Sequence, residues 1–205
     1  MRIKHLRTIL NWAVLVIPVM QVLLFLVSWL INAAMPESKV RSLLGSEGIR
    51  WFFGSFVDNV ATSPLVWLLI AAVAYGATRE SGIVAALRMK SGERRYRQTF
   101  ALRIVLIMTL TFIAVMIFLT VMPRAALLSV TGQLFPSSFS RSIIPSVAFC
   151  VMADALAYGV LAGTLRTLDD VVAALTKGIA SAAPLILLYV LASELVASCI
   201  YVFGW

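Results

Sequence analysis

Charged residues, and acidic ones above all, are scarce in this sequence. They make up 13% of its 205 residues, whereas soluble domains contain about 25%. Hydrophobic residues reach 61%, against roughly 45–50% in soluble domains, and this is more apolar surface than a soluble fold of this length can bury. The composition therefore excludes a soluble domain and predicts a single membrane domain over residues 1–205.

Histidine and cysteine are also nearly absent. His5 is the one histidine and lies in a basic N-terminal stretch, while Cys150 and Cys199 fall inside apolar runs without metal-ligand spacing. The sequence contains no HExxH motif, no P-loop and no set of Ser, His and Asp at membrane depth. We therefore predict no enzymatic activity, no catalytic residue, no metal site and no cofactor.

The basic residues that remain do not indicate nucleic acid. The formal charge is +8, but the 17 Lys and Arg lie in short stretches between apolar runs. Membrane topology and anionic lipid account for such stretches. The lipid bilayer is the expected partner, and nucleic acid is not.

Long apolar runs dominate the sequence. Runs of 18 or more residues recur, each about long enough to cross a hydrocarbon core of roughly 30 Å. They do not alternate with a period of two, so helices are predicted and not a barrel. The predicted fold is all-α, with about five transmembrane helices at 9–33, 63–78, 100–122, 142–163 and 179–203.

Residues 47–60 are predicted to form an additional amphipathic helix. Its apolar stripe, at helical spacing, consists of Ile49, Phe52, Phe53, Phe56, Val57 and Val60. Such a helix lies in the membrane interface or enters the membrane as half of a re-entrant hairpin, and we favour the interface. A bent helix broken near Pro64 would lengthen the short second span.

The distribution of Lys and Arg between the predicted spans indicates an orientation. Eleven lie on the side of the N-terminus and five on the other side, and the basic loop after the second span alone has six. The positive-inside rule predicts a multi-pass protein of the inner membrane, with its N-terminus in the cytoplasm and its C-terminus outside.

Two carboxylates, Asp154 and Glu194, fall inside predicted spans. A charged acid at the bilayer centre costs at least about 2.5–3.5 kcal/mol on insertion scales, and such acids usually face a pathway or a partner. Counted from the outer ends of their spans, their depths differ by only about 5 Å. One hypothesis is a shared polar cluster that binds or relays a cation or a proton. The alternative is that each acid is protonated or hydrogen-bonded and joins helices.

Two smaller motifs complete the candidates. Asp58, Asn59 and Thr62 form a polar break before Pro64, where unwound backbone could meet a ligand or simply turn at the interface. Gly159 and Gly163 form a GxxxG motif, for which helix packing within the chain is favoured over dimerisation.

A further helix is predicted just before the last span. Thr167 with Asp170 three residues later predicts a capping box, and Gly178 predicts the end of a short helix there.

Two stretches carry a characteristic order of motifs. Glu47 to Gly82 reads EGIRWFFGSFVDNVATSPLVWLLIAAVAYGATRESG, an amphipathic helix, an Asn and Pro turn, and a span that ends in a charged residue, Ser and Gly. From Ser142 the chain reads SIIPSVAFCVMADALAYGVLAGTLRTLDDVVAALTKGIASAAPLILLYVLASELV, in which IP, YG, AGT, DDVV, TKG and AP follow in order. These stretches resemble the p-aminobenzoyl-glutamate transporter family, AbgT.

The resemblance implies cation-coupled transport by dimers of longer chains, with inverted repeats and re-entrant hairpins. The family's Ser-Asp-Ala-Gly-Tyr run would follow the span at 100–122, where this chain reads PRAALLSVTGQLFPSS. Its Gly-Gly-Phe-Ser-Ala-Asn run and its second half are missing as well. We therefore expect a shortened relative whose matching part is scaffold, and no binding residue is carried over from the family.

Two functions are expected. The first is a reduced AbgT-like transporter or transporter subunit that moves a small anionic organic solute with cation or proton coupling. Its pathway would be assembled from two or more copies, a homo-oligomer, or with a partner membrane subunit. The second is a non-transporting membrane scaffold or accessory subunit.

Overall fold

The chain is helical throughout the part that its computed structural model describes. That part comprises the backbone of residues 2–121 and 138–204, with side chains for 8–90, 92–120 and 142–204, and it contains no strand. The His5 side chain and most of the stretch PRAALLSVTGQLFPSS lie outside it. In chain order the helices are α1 (Arg2–Ala34), α2 (Ser46–Val60), α3 (Ser63–Ser81), α4 (Ile83–Arg88), α5 (Tyr96–Val121), α6 (Ser138–Ala162) and α7 (Leu168–Phe203), with a 3₁₀ turn at Ser91–Glu93.

Four of the described helices are long and apolar enough to cross a membrane. Their candidate spans are Thr8–Ala34, Tyr96–Thr120, Ser142–Ala162 and Leu168–Phe203, with mean hydropathies of 2.6, 2.6, 1.8 and 2.2. Helices α2 and α3 pass the same test only as a pair. The predicted fold class, an all-α membrane protein, is confirmed, with four or five spans.

A sharp bend separates α2 from α3. The two helices are bent by 45° at the break between Val60 and Ser63, a geometry that fits a broken span or a re-entrant loop. Pro64 explains the break, because in a continuous helix it would have no N–H to donate to Val60 O and its ring would clash with that carbonyl group. Ala61, with φ −75° and ψ 61°, leaves the helical region there. The position of α2 relative to a membrane stays a prediction.

The chain divides into two compact units, of which the first comprises Met1–Val66 and Ala182–Trp205. Its core consists of Leu43, Tyr201 and Val202, with Leu24, Phe25, Val40 and Trp51 packed against them. Two bonds fix the segment between α1 and α2: Arg41 N donates to Val202 O at 3.0 Å, and Leu43 N donates to Ser28 Oγ at 3.2 Å. This unit therefore holds an extended segment tightly against the end of α7.

The second unit comprises Trp67–Ser181. Its core draws on α3, α4, α5 and α6 and consists of Ala77, Ile83, Ala86, Ala101, Val105, Ala155 and Tyr158. Four of these seven are alanines, and small residues let membrane helices approach closely.

Helix α7 is continuous from Leu168 to Phe203, so the helix end predicted at Gly178 is wrong. Gly178 instead lies where α7 packs on α3 within the second unit. A Cβ added to Gly178 would meet the carbonyl oxygen of Ala72 and would stand 2.9 Å from the Cα of Gly76. A glycine can end a helix or allow another backbone to pack closely against it, and Gly178 allows the close packing of α3.

The predicted start of this helix is confirmed. Thr167 N donates to Asp170 Oδ2 at 2.9 Å, and Asp170 N donates to Thr167 Oγ1 at 3.1 Å. Arg166 N donates to the same carboxylate oxygen at 2.9 Å. These are the reciprocal bonds of a capping box, with Asp in the position usually held by Glu or Gln.

Candidate functional site

Glu194 is the only buried acidic or basic side chain among the residues described, with 5% of its surface exposed. Its Oε2 accepts a hydrogen bond from Asn59 Nδ2 at 3.3 Å. Its Oε1 is buried and has no hydrogen-bond partner. A buried carboxylate oxygen without a donor is unfavourable. A proton on this carboxylate, or a cation beside it, would satisfy Oε1.

The polar break before Pro64 contacts the same stretch of α7. Thr62, two residues after the end of α2, shares a hydrogen bond with the hydroxyl of Tyr189, and Asn59 bonds to Glu194. Asp58 is exposed and makes no hydrogen bond or ion pair to the described residues. The structure thus brings Asn59 and Thr62 to α7 and leaves Asp58 at the surface.

A second polar pair lies one turn further along α7. Gln21 Nε2 donates to the fully buried Ser198 Oγ at 2.8 Å, and Gln21 Oε1 is buried without a partner. Residues four apart lie on one face of a helix, so Ser198 and Glu194 share a face. We call Gln21, Asn59, Glu194 and Ser198 the α7 polar cluster. It contains two unpaired acceptor oxygens.

A cavity of about 440 Å³ in the first unit reaches this cluster at Asn59. It is lined by Arg41, Trp51, Asn59, Ala197, Ile200, Tyr201 and Gly204. The Trp51 and Tyr201 rings are stacked, with centroids 4.2 Å apart and planes at 16°, and Arg41 Cζ lies 5.5 Å from the centroid of the Tyr201 ring. A cation beside aromatic faces, in a cavity of this size, suits a small organic anion.

Asp154 is half-buried in the second unit. Its Oδ2 accepts a bond from Thr109 Oγ1 at 2.6 Å and from Cys150 Sγ at 3.6 Å. Thr109 Oγ1 also lies 3.0 Å from Val105 O, yet a hydroxyl has one proton to donate. The hydroxyl of Thr109 can therefore donate to only one of these two acceptors, and its contact with Asp154 joins α5 to α6.

The two acids have separate surroundings. Asp154 belongs to the second unit and Glu194 to the first, and each has its hydrogen-bond partners within its own unit. The hypothesis that they share one midplane cluster stays a prediction.

The structure gives the two glycines of the GxxxG motif different surroundings. A Cβ at Gly159 would stand 2.5 Å from Leu165 Cδ1 and 3.3 Å from the Ser81 Cβ, so this position allows close packing. Gly163 follows the last residue of α6 and has a φ of +80°, the left-handed conformation that ends helices. Gly163 N and Thr164 N both donate to Gly159 O, which closes the helix.

Several residues of the site were not singled out in the sequence. Arg41, Trp51 and Tyr201 come from three segments, and Gln21 from a fourth, so no spacing connects them. A polar residue within an apolar span was the available signal for Gln21. Among the described residues, no group of three or more His, Cys, Asp or Glu is placed to hold a metal ion.

The chain is similar to known proteins over most of its length. The model of the AbgT transporter family matches residues 88–203. The crystal structure of the Alcanivorax borkumensis YdaH transporter, reported to have an unusual topology, is similar with a TM-score of 0.79. That similarity covers 94% of this chain and 71% of the other at 14% identity, so it concerns the fold alone. No curated protein sequence matches this chain.

Proposed function

Because this chain belongs to the AbgT transporter family, we propose that it moves a small organic anion across the inner membrane with cation or proton coupling. The family and the fold make it a multi-pass membrane transport protein, and the proposal adds the solute class and the coupling. The position of Asn59 is the observation that carries the proposal. This residue lines the cavity and also donates to Glu194, so it joins a solute position to an ion position.

The cavity supplies the solute position. Arg41 provides the positive charge that would attract a carboxylate, and the faces of Trp51 and Tyr201 provide apolar surface for the rest of the molecule. Arg41 forms no ion pair with the described residues, so its charge remains available to an anion, and we expect anions to be preferred over neutral molecules.

Glu194 supplies the ion position, and electrostatics would link the two. Tyr201, beside Arg41, is seven residues from Glu194, which is about 10 Å along the helix. Two unit charges at that distance interact with about 1.7 kcal/mol at an effective dielectric constant of about 20. A bound anion would therefore tighten binding of a proton or cation at Glu194 by at most roughly twentyfold, and the ion would tighten anion binding equally.

The proposal extends to orientation and assembly. With the N-terminus in the cytoplasm, the end of α7 and its cavity lie on the outer side, where a solute would enter. The cavity is open along one side, so a second copy or a partner membrane subunit would complete its wall.

Uptake into vesicles tests the proposal. The purified protein, reconstituted with an inward sodium or proton gradient, would be offered small carboxylates of graded size, each beside its neutral amide. We expect uptake of carboxylates over amides, and a loss of that preference in the Arg41→Gln variant, while Arg50→Gln, which removes an exposed cation outside the cavity, keeps it. Carboxylate flux no greater than in protein-free vesicles under both gradients would support the non-transporting scaffold instead.

A further inference from the structure

A different cavity lies in the second unit and has an almost entirely apolar wall. Its volume is about 480 Å³, and Leu87, Leu102, Leu106 and Val151 contribute to the wall. The wall continues along α5 from Leu102 to Thr109, which is about 10 Å. A narrow apolar cavity of this length, parallel to a membrane span, suits a hydrocarbon chain.

Arg94, which precedes α5, also lines the cavity, and its guanidinium places a positive charge beside the apolar wall. Its Nη2 donates to Met89 O at 2.8 Å and to Leu87 O at 3.3 Å, so the side chain is fixed against the end of α4. Its Nε is buried and has no acceptor. A buried donor without an acceptor is unfavourable, and the donor belongs to a permanent cation. Arg94 forms no ion pair with the described residues, so an anion beside its guanidinium would balance the charge.

The surroundings of Arg94 favour a lipid anion over a soluble one. Residues 88–97 contain five basic residues and one acidic residue, and they lead directly into the span of α5. Leu87 and Leu106, on the cavity wall, are 60% and 59% exposed, so the cavity opens on an apolar surface. A soluble anion would make no use of that wall. Basic pockets at the ends of membrane helices bind anionic lipid headgroups.

We propose that this cavity binds one anionic phospholipid, whose phosphate pairs with the guanidinium of Arg94 and whose acyl chain lies along α5. The chain would extend from the level of Leu102 towards Thr109, where Asp154 Oδ2 accepts a hydrogen bond from Thr109. The site lies entirely in the second unit, so it is independent of the proposed solute cavity.

Lipid titration followed by native mass spectrometry tests this site on the full chain. The probes are phosphatidylglycerol, phosphatidylcholine with the same acyl chains, and inorganic phosphate. We expect phosphatidylglycerol to bind at least roughly fivefold more tightly than phosphatidylcholine, since the contact of one cation with the headgroup is worth about that factor. Inorganic phosphate at millimolar concentration should not displace it.

Two variants and one control locate the site. Arg94→Gln should weaken phosphatidylglycerol binding roughly fivefold and remove the preference over phosphatidylcholine, whereas Arg95→Gln, an exposed cation outside the cavity, should leave both unchanged. Leu106→Trp, which fills the cavity and leaves Arg94 intact, should weaken the binding of both lipids. Equal effects of Arg94→Gln and Arg95→Gln, or displacement by phosphate alone, would overturn the proposal.

Discussion

Adding a single methyl group where α3 and α7 pack together should loosen the second unit. In Gly178→Ala the new Cβ would stand 2.9 Å from the Cα of Gly76, and in Gly76→Ala it would stand 2.6 Å from the Cα of Gly178. Carbon atoms prefer about 3.5–4.0 Å, so the helices would have to separate by roughly 1 Å. Both opposing groups are backbone, which cannot change rotamer to make room.

The size of the effect follows from two opposing contributions. Overpacking a close contact costs about 1–3 kcal/mol, and a backbone contact belongs at the upper end of that range. Replacing glycine by alanine inside a helix returns up to about 1 kcal/mol. We therefore expect Gly178→Ala to destabilise the protein by about 1–2 kcal/mol, which lowers the melting temperature by several degrees.

Thermal unfolding of the purified protein in detergent provides the assay, and Gly54→Ala provides the matched control. Gly54 is inside α2 and has nothing within 4 Å of an added Cβ, so the same substitution there should be neutral or stabilising. Of the two variants, only Gly178→Ala should therefore lower the melting temperature. A melting temperature for Gly178→Ala at or above that of the wild type would refute the close approach of α3 and α7.

Two further substitutions test bonds within the second unit. Asp170→Ala removes the capping box of α7 and should cost about 1 kcal/mol of stability. Asp169→Ala, next to it and outside the box, should not. Equal losses in the two variants would show that Asp170 does not cap the helix. Thr109→Val removes the hydroxyl bonded to Asp154 and should lower the free energy of unfolding by about 1–3 kcal/mol. Thr120→Val is the control and should change it little, because the hydroxyl of Thr120 bonds only to its own helix. Melting temperatures check both pairs, and indistinguishable threonine variants would show that the bond to Asp154 does not form.

The local features of the fold followed from the sequence. Helix periodicity, apolar run length and the residues of the capping box each act within a few positions, so they predicted α2, the all-helical membrane fold and the start of α7. The resemblance to the AbgT family came from motif order in the same way, and the family model confirms it.

Features that depend on distant segments could not be predicted. Gly178 was interpreted as a helix end because a sequence does not show which backbone will approach a glycine, and α3 lies about a hundred residues earlier. The spacing of Gly159 and Gly163 suggested one packing face, but the second glycine adopts a positive φ and ends α6. Local spacing does not distinguish these uses of glycine.

The candidate site was likewise predicted only in part. Glu194 was predicted from the rarity of acids within membrane spans. Its partner Asn59 was predicted separately, as part of a polar break, and only the fold brings the two together at 3.3 Å. The aromatic cavity was not predicted, because Trp51, Tyr201 and Arg41 lie on separate segments.

The central claim, that Glu194 is where a coupling ion binds, is tested most directly by the gradient dependence of uptake. Carboxylate uptake would be compared in matched vesicles with and without a sodium gradient, and with and without a proton gradient, for wild type, Glu194→Gln and Glu37→Gln. Glu37 is an exposed carboxylate of the same unit and controls for loss of charge. We predict that uptake by wild type and Glu37→Gln rises with one gradient, and that uptake by Glu194→Gln does not respond to it. An undiminished gradient response in Glu194→Gln would contradict the account.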